Sequence, residues 1–266
     1  MVTPVLEMRA LTRRFGAVTA VDALTIDVQS GQVFGLLGSN GAGKTTVIKM
    51  LTTLLPPTSG TARVAGFDIR KQAARVRRVI GYVPQMISAD GTLTGYENLL
   101  IFAKLYDIPR REREARIAEA LALMELADAA GRLVREYSGG MIRRLEIAQA
   151  MLHRPPVLFL DEPTVGLDPI ARNSVWERLE RLRADFDTTI VLTTHLMEEA
   201  DVLCQEIAIL HRGALAISGS PAALKASVGP DATMDDVFVR YAGTAIESGG
   251  LYTDVSRARR TAQRVG

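Results

Sequence analysis

This chain of 266 residues has one cysteine, no long apolar run and almost no excess of one charge. A lone Cys204 excludes an internal disulfide and a metal cluster of thiolates, which fits a reducing compartment. The apolar run at residues 33–38 is far shorter than the ~20 residues that cross a bilayer, and residues 1–7 lack the apolar region of a signal peptide. We therefore expect the chain itself to be soluble.

The charges of the chain nearly cancel. The 32 basic and 30 acidic residues leave a formal net charge of +2, and the two signs are mostly interspersed. Nucleic-acid binding requires a surface where basic residues are clustered, so we expect no nucleic-acid partner. Histidine is also rare, and no spacing of histidine with acidic residues indicates a zinc site.

Apolar residues, by contrast, make up 47% of the chain, enough to bury the core of one large domain or of a domain with a subdomain. Alternating apolar and polar residues over 5–37 predict an antiparallel β layer. Helical periodicity at about 94–151 predicts an inserted helical subdomain. Short strands are predicted at 60–65, 79–83, 157–160, 189–192 and 207–210, with helices at 46–54 and about 170–186. The later strands alternate with helices, which indicates a parallel α/β sheet.

The C-terminal part of the chain is less regular. Residues 213–228 predict a turn and a short helix, and the pattern weakens beyond residue 229. The basic, polar stretch at 256–264 favours a solvated chain end over a contact with lipid or a partner. We therefore divide the chain into a main domain at 1–228 and a C-terminal extension at 229–266, whose role would be regulatory or in assembly.

The most informative motif is a glycine-rich loop between an apolar strand and a helix. Glycines let successive backbone N–H groups point at phosphates, and the helix that follows adds its N-terminal dipole. Lys44 is expected to reach the β- and γ-phosphates, and Thr45 to bind Mg²⁺. The G-x-x-x-x-G-K-[ST] residues are Gly38, Ser39, Asn40, Gly41, Ala42, Gly43, Lys44 and Thr45, with Thr46 next. The chain is therefore predicted to bind a nucleoside triphosphate.

An acidic pair, Asp161 and Glu162, follows the apolar strand predicted at 157–160. Nucleotides bind at the carboxyl ends of strands in open α/β sheets. We expect Asp161 to hold Mg²⁺ through a water, and Glu162 to act as the general base on the attacking water, a role worth ~10²–10⁴ in rate. The alternative, an acidic turn before Pro163, has less support downstream of a phosphate-binding loop.

Two further groups are candidates for phosphate contacts. His195 follows the strand at 189–192 at the same sheet edge, although spacing alone favours an ordinary surface or core histidine. Ser138, Gly139 and Gly140 open a helix and form a second potential anion site, the alternative being a cap without a ligand. One nucleotide hardly needs two such helix starts, unless the second serves the nucleotide of another subunit.

Together these residues resemble the nucleotide-binding subunit of ATP-binding cassette (ABC) transporters, over residues 6–224 and in the family's order. The resemblance implies a P-loop NTPase core with an antiparallel β layer and an inserted helical subdomain, the ABC nucleotide-binding domain. It also implies ATP hydrolysis, with ATP and Mg²⁺ as cofactors. Its motifs are the Walker A loop at 38–45, the Q-loop Gln85, the signature Ser138-Gly139-Gly140, the Walker B Asp161 with Glu162, the D-loop Gly166-Leu167-Asp168 and the switch His195.

The resemblance also implies roles for single residues. Phe15 takes the place of the aromatic residue that stacks on adenine, often a tyrosine in the family, and stacking needs only a ring. Gln85 would touch Mg²⁺ and relay its state to a transmembrane partner, and His195 would act at the γ-phosphate. Ser138 and Gly140 would contact the γ-phosphate bound to a second subunit, which implies a head-to-tail homodimer that encloses two ATP molecules.

Residues 138–145, Ser-Gly-Gly-Met-x-Arg-Arg-Leu, and the regions 236–238 and 256–264 are similar to drug-resistance exporter ATPases of the daunorubicin/doxorubicin type. This similarity implies efflux of drugs or other hydrophobic compounds through a separate transmembrane permease, and a peripheral location on the cytoplasmic face of the bacterial cell membrane. Met141 stands where the family usually has glutamine. Val165-Gly166 replaces the common Ser-Ala before Leu-Asp, which bears on coupling between subunits.

Other functions fit the sequence less well. A soluble ABC ATPase that acts as an assembly or mechanical factor usually carries a long coiled coil or a second cassette, and neither pattern is present. A P-loop kinase would leave Gln85, His195 and the signature motif without a role. Among transporters, an importer and a lipid or polysaccharide exporter remain alternatives, because the cassette works in the same way in all of them.

Overall fold

The fold of residues 4–243 is described by a computed structural model. Its strands are β1 Leu6–Phe15, β2 Val18–Val28, β3 Val33–Leu37, β4 Ser59–Val64, β5 Phe67–Asp68, β6 Ile80–Val83, β7 Val157–Asp161, β8 Thr189–Thr194, β9 Glu206–His211 and β10 Ala214–Gly219. Its helices are α1 Lys44–Leu51, α2 Ala73–Arg78, α3 Gly95–Leu105, α4 Arg110–Leu123, α5 Gly139–Met151, α6 Pro169–Phe186, α7 Met197–Leu203, α8 Pro221–Ala226 and α9 Met234–Ala242.

The strands form two sheets, as predicted. One has the order β2-β1-β4-β5 and is antiparallel. The other has the order β10-β9-β3-β8-β7-β6, and its strands are parallel except for β10 at the edge. β3, β7 and β8 lie inside this sheet and are buried along their whole length, and each contains an unbroken apolar stretch, the shortest at residues 190–192 of β8.

The core has two layers, one on each face of the parallel sheet. Phe34 and Leu36 of β3 point into the layer shared with α1 and the antiparallel sheet. Val33 and Leu37 of the same strand point into the layer shared with the helices. This alternation with a period of two residues is what a strand covered on both faces produces, and it fixes the register of β3 beside the glycine-rich loop.

The inserted helical region contains α3, α4 and α5. α3 begins with a capping box in which the Thr94 hydroxyl accepts from the Glu97 backbone N–H and the Glu97 carboxylate accepts from the Thr94 backbone N–H. Leu99, Ile117 and Leu145, one from each helix, are fully buried in the layer between the helices and the parallel sheet. This packing fixes the position of the start of α5 relative to that sheet.

Two elements near the C-terminus differ from the prediction. Residues 214–219 form the edge strand β10, not part of a turn, and its residues alternate between exposed and half-buried. α9 lies where the pattern weakens, and Val237 and Phe238 bury its inner face in the core. A capping box between Thr233 and Asp236 marks its start.

The stretch 256–264 lies outside the described residues. Within residues 4–243, no helix is both long enough and apolar enough to cross a bilayer.

Candidate active site

The glycine-rich loop joins β3 to α1 and wraps around the Lys44 amine. This amine is buried and donates to the backbone oxygens of Gly38, at 2.7 Å, and Ser39, at 3.2 Å. Gly43 has φ 104°, and a Cβ there would lie 2.5 Å from the Ala20 carbonyl oxygen. Only glycine fits this position, because both the backbone conformation and the space exclude a side chain.

Asp161 ends β7 beside the loop, as predicted from the sequence, and is buried. Its Oδ1 accepts from the Thr45 hydroxyl, at 3.1 Å, and from the Thr193 hydroxyl, at 2.6 Å. Burial, and next the charge of Asp161, raise the pKa of nearby Tyr82 to about 12, so this phenol stays neutral at physiological pH. The structure therefore brings Thr45 and Asp161 together as two hard oxygen groups.

The next residue, Glu162, has an unusual backbone conformation. Its φ is 49°, in the left-handed region, which costs a residue with a side chain ~1–3 kcal/mol. Thr193 stabilises this conformation, because its carbonyl and hydroxyl oxygens both accept a hydrogen bond from the Glu162 backbone N–H, at 3.1 and 2.9 Å. With this backbone conformation, the Glu162 side chain lines the cavity above the glycine-rich loop.

Three other predicted residues, Lys44, Gln85 and His195, meet at the Glu162 carboxylate. Oε1 lies 3.3 Å from the Lys44 amine and 3.3 Å from His195 Nδ1, although the latter contact lacks hydrogen-bond geometry. Oε2 accepts from the Gln85 amide at 3.1 Å. Lys44 and Glu162 are both buried, whereas the His195 side chain is 37% exposed. A carboxylate, a cation and two polar groups thus surround one point at the sheet edge.

These side chains border a cavity of about 590 Å³, large enough for the phosphates of a nucleotide. Its lining residues are Ala20, Asn40, Gly41, Ala42, Gly43, Lys44, Thr45, Thr46, Gln85, Glu162, Val165 and His195. Backbone N–H groups at the start of α1 can bind an anion there, as at other helix N-termini. The arrangement can hold a polyphosphate and present a carboxylate to a water at its end.

The remaining predicted residues do not line this cavity. Phe15, at the end of β1, is half exposed, and the Arg13 guanidinium lies over its ring at 4.5 Å from the centroid. Ser138 caps α5 by accepting from the Met141 backbone N–H at 3.3 Å, and Ser138 and Gly139 are exposed. A Cβ on Gly140 would lie 2.8 Å from the Ala171 Cβ, so this glycine lets α5 approach α6 closely.

The sequence reasoning missed residues that hold the predicted ones in place. Thr193 binds both acidic residues, but the predicted strand ended at residue 192. Arg143 of α5 donates to the backbone oxygens of Pro84, at 2.8 Å, and Gln85, at 3.0 Å. Burial lowers the Arg143 pKa, with the charges of Glu146 and Asp161 opposing this shift. Arg143 was visible only as part of a resembling motif, since nothing local shows its partners.

Comparison with known proteins agrees with this geometry. Residues 21–165 match the family model described as ABC transporter. The chain is 44% identical to the daunorubicin/doxorubicin resistance ATP-binding protein DrrA of Streptomyces peucetius, over 85% of this chain and 68% of the relative. It is also 44% identical to the Nod factor export ATP-binding protein I of Ralstonia nicotianae, over 82% of this chain and 68% of the relative.

Solved structures give the same result. An ATP-binding subunit of an ABC transporter superposes with a TM-score of 0.79 at 29% identity, over 89% of this chain and 99% of that one. A dimeric ATP-binding cassette in a post-hydrolysis state, bound to ADP and Pi, superposes with a TM-score of 0.72 at 25% identity, over 81% of this chain and 98% of that one. The predicted fold class is confirmed. The chain belongs to the ABC transporter family and is one of its ATP-binding, ATP-hydrolysing subunits.

Proposed function

We propose that this subunit drives the efflux of drugs or other hydrophobic compounds through a separate membrane subunit. The observation that carries the ATPase part is the Glu162 carboxylate, held between the Lys44 amine, the Gln85 amide and His195. The export part is supported by relatives named for drug resistance and for Nod factor export, which share up to 44% of their aligned residues with this chain.

In the proposed reaction, Glu162 is the general base for the water that attacks the γ-phosphate. Its carboxylate lies at the cavity end of the glycine-rich loop, and its strained backbone fixes its direction. The residues at 38–46 bind the phosphates through backbone N–H groups and the Lys44 amine. His195 contacts the γ-phosphate beside Glu162.

The donor groups near the loop also fit Mg²⁺. This ion prefers oxygen ligands and takes only one or two from the protein, with phosphates and waters completing its shell. Thr45 Oγ1 and Asp161 Oδ1 lie 3.1 Å apart, and Gln85 lines the same cavity. We assign Mg²⁺ to Thr45 directly, to Asp161 through a water and to Gln85. When bound, the ion neutralises charge on the β- and γ-phosphates.

The active form is proposed to be a head-to-tail homodimer. Ser138 and Gly139 are exposed at the start of α5 and do not line the cavity of their own subunit. We propose that Ser138, Gly139 and Gly140 complete the γ-phosphate site of a second copy. Phe15 would stack on adenine, with its exposed ring as support.

We further propose that residues 1–228 form the ATPase domain, with the helical subdomain at about 94–151, and that residues 229–266 serve regulation or assembly. The packing of α9 against the core supports a fixed starting point for that extension. The subunit would sit peripherally on the cytoplasmic face of the bacterial cell membrane, bound to its permease. A lipid or polysaccharide cargo is the second candidate, since a Nod factor export relative is equally identical.

The test is to isolate the subunit with its partners. Glu162→Gln would be purified with ATP from detergent-solubilised membranes of the native host, with Glu198→Gln as control because Glu198 is exposed. We expect a stoichiometric polytopic membrane protein with the first variant, identified by mass spectrometry. Vesicles that hold both subunits should then take up daunorubicin in an ATP-dependent manner. Recovery of a soluble complex alone would favour an assembly factor instead.

A further inference from the structure

The strained backbone of Glu162 requires support on both sides. On the N-terminal side, Thr193 accepts its backbone N–H. On the C-terminal side, buried Pro163 has a fixed φ and leads to Thr164, which is 2% exposed. A left-handed residue persists only when its surroundings overdetermine it, so the anchor of Thr164 matters for the direction of the carboxylate.

That anchor is Glu199. The Thr164 hydroxyl donates to Glu199 Oε1 at 2.7 Å, and the Trp176 indole N–H donates to the same oxygen at 3.0 Å. Glu199 is 1% exposed, on α7, four residues after His195. A buried carboxylate with two short hydrogen bonds from different elements cannot move without breaking them.

We infer that Glu199 is a positioning residue that, through Thr164, holds the backbone of Glu162 and ties it to the helix that follows His195. This inference rests on the proposed role of Glu162 as the base. Displacement of the γ-phosphate contact at His195 would then reach Glu162 through α7 and Thr164, in addition to the direct contact between the two side chains. Glu199 itself is not one of the residues that line the cavity.

The sharpest variant is Thr164→Val, which keeps the shape of the side chain and removes the hydroxyl that reaches Glu199. We expect kcat for ATP hydrolysis by the full chain to fall about tenfold, with KM for ATP within about twofold, because the reacting group is misplaced and the phosphate loop is intact. Glu199→Leu should do the same. Glu199→Gln keeps an Oε1 acceptor for both donors and should restore kcat to within about threefold.

Thr52→Val is the matched control. Thr52 is also buried, and its hydroxyl donates to the Ile48 carbonyl at 2.9 Å, at the far end of α1. It therefore loses a comparable hydrogen bond without any link to Glu162. We expect its kcat to equal that of the natural chain, while its thermal midpoint falls as in Thr164→Val.

Trp176 supplies a second readout, because it is the only tryptophan of the chain. It shares the Glu199 oxygen with Thr164, so its emission should shift when ATP and Mg²⁺ are added, and Thr164→Val should abolish that shift while nucleotide affinity is kept. Wild-type kcat and a retained shift in both Thr164→Val and Glu199→Leu would overturn the inference. Glu162→Gln is assayed in parallel: if it is inactive while Thr164→Val is normal, only the positioning role fails, whereas normal turnover of Glu162→Gln overturns both proposals.

Discussion

Two regions of this subunit are proposed to bind phosphate, and they differ in completeness. At the sheet edge, defined here as the glycine-rich loop with Asp161, Glu162 and His195, side chains from separate elements are already linked by contacts of 2.6–3.3 Å. At the signature region, defined as residues 138–140, the serine and first glycine are exposed, and the Ser138 hydroxyl accepts a hydrogen bond within its own helix start. The first region is organised inside one chain, whereas the second presents a surface.

The difference has a physical basis. Buried charges such as Lys44 and Glu162 must be paired, so the sheet edge arranges its own partners during folding. A capped helix start in solvent has no such requirement, because water satisfies its free N–H groups. The signature region can therefore stay exposed without a cost to the fold, which is compatible with its proposed contact with the phosphate of another copy.

The largest expected effect comes from Glu162→Gln at the sheet edge. We expect kcat to fall by ~10²–10⁴, since the amide cannot accept the proton of the attacking water, while ATP still binds. Phosphate release and equilibrium nucleotide binding measure the two properties separately. Glu198→Gln, which changes an exposed carboxylate of α7, should leave both unchanged. Near-normal turnover in Glu162→Gln would remove it from the base role.

A mixing experiment tests whether the signature region of one copy completes the site of the other. Ser138→Arg should block the signature region and also inactivate the subunit. If each site combines the sheet edge of one copy with the signature region of the other, equal amounts of Ser138→Arg and Glu162→Gln form heterodimers with one intact site. We expect recovery of roughly a quarter of wild-type activity, from random pairing in a two-fold dimer. No recovery would mean that each chain uses its own signature region.

The joint between the helical region and the parallel sheet, at His153, is expected to be acid-sensitive. His153 Nε2 contacts the Ile80 carbonyl at 3.0 Å, and its ring stacks on Tyr106 at the end of α3. Burial lowers the His153 pKa to about 4, so the folded protein holds it neutral while the unfolded chain protonates near pH 6.5. The free energy of unfolding should therefore fall as the pH drops from about 6.5 to 4, by on the order of 2 kcal/mol.

Urea unfolding at pH 7.5 and pH 5 tests this expectation. His153→Gln keeps a donor for Ile80 but does not titrate, so it should lose part of the acid dependence. His211→Gln, at the end of β9, changes the same residue type away from the joint and should keep that dependence. Equal pH profiles for all three proteins would show that His153 does not control the joint.

The smallest effect is expected from the cap of the helical region. Thr94→Ala removes both hydroxyl contacts of the α3 capping box and should cost about 1 kcal/mol of unfolding free energy. ATP affinity should not change, since Thr94 lies outside the cavity lining. Thermal unfolding and nucleotide titration would be compared with Thr92→Ala, which removes a nearby hydroxyl that donates to Asp90. A loss of ATP affinity in Thr94→Ala would mean that the helical region and the nucleotide site are coupled more tightly than their contacts indicate.

Sequence patterns alone predict the two sheets, the helical insert and the glycine-rich turn between β3 and α1. Each depends on patterns within a short stretch, such as the runs of β3 and β7 or the glycines of residues 38–43, and such patterns follow from local backbone geometry and burial. The roles of His195 and residues 138–140 were raised above ordinary alternatives only by resemblance to a family.

The contacts between side chains that are far apart in the sequence follow only from the tertiary structure. Gln85 and Glu162 are 77 positions apart, and Thr164 and Glu199 are 35 apart, so no local pattern contains either contact. β10 escaped prediction because residues 214–217 are all apolar and lack the alternation of apolar and polar residues that marks a half-exposed strand, and α9 because its helical pattern is short. The sequence determined the elements because their causes are local. The structure decided the support of Glu162, since that support comes from side chains that only folding brings together.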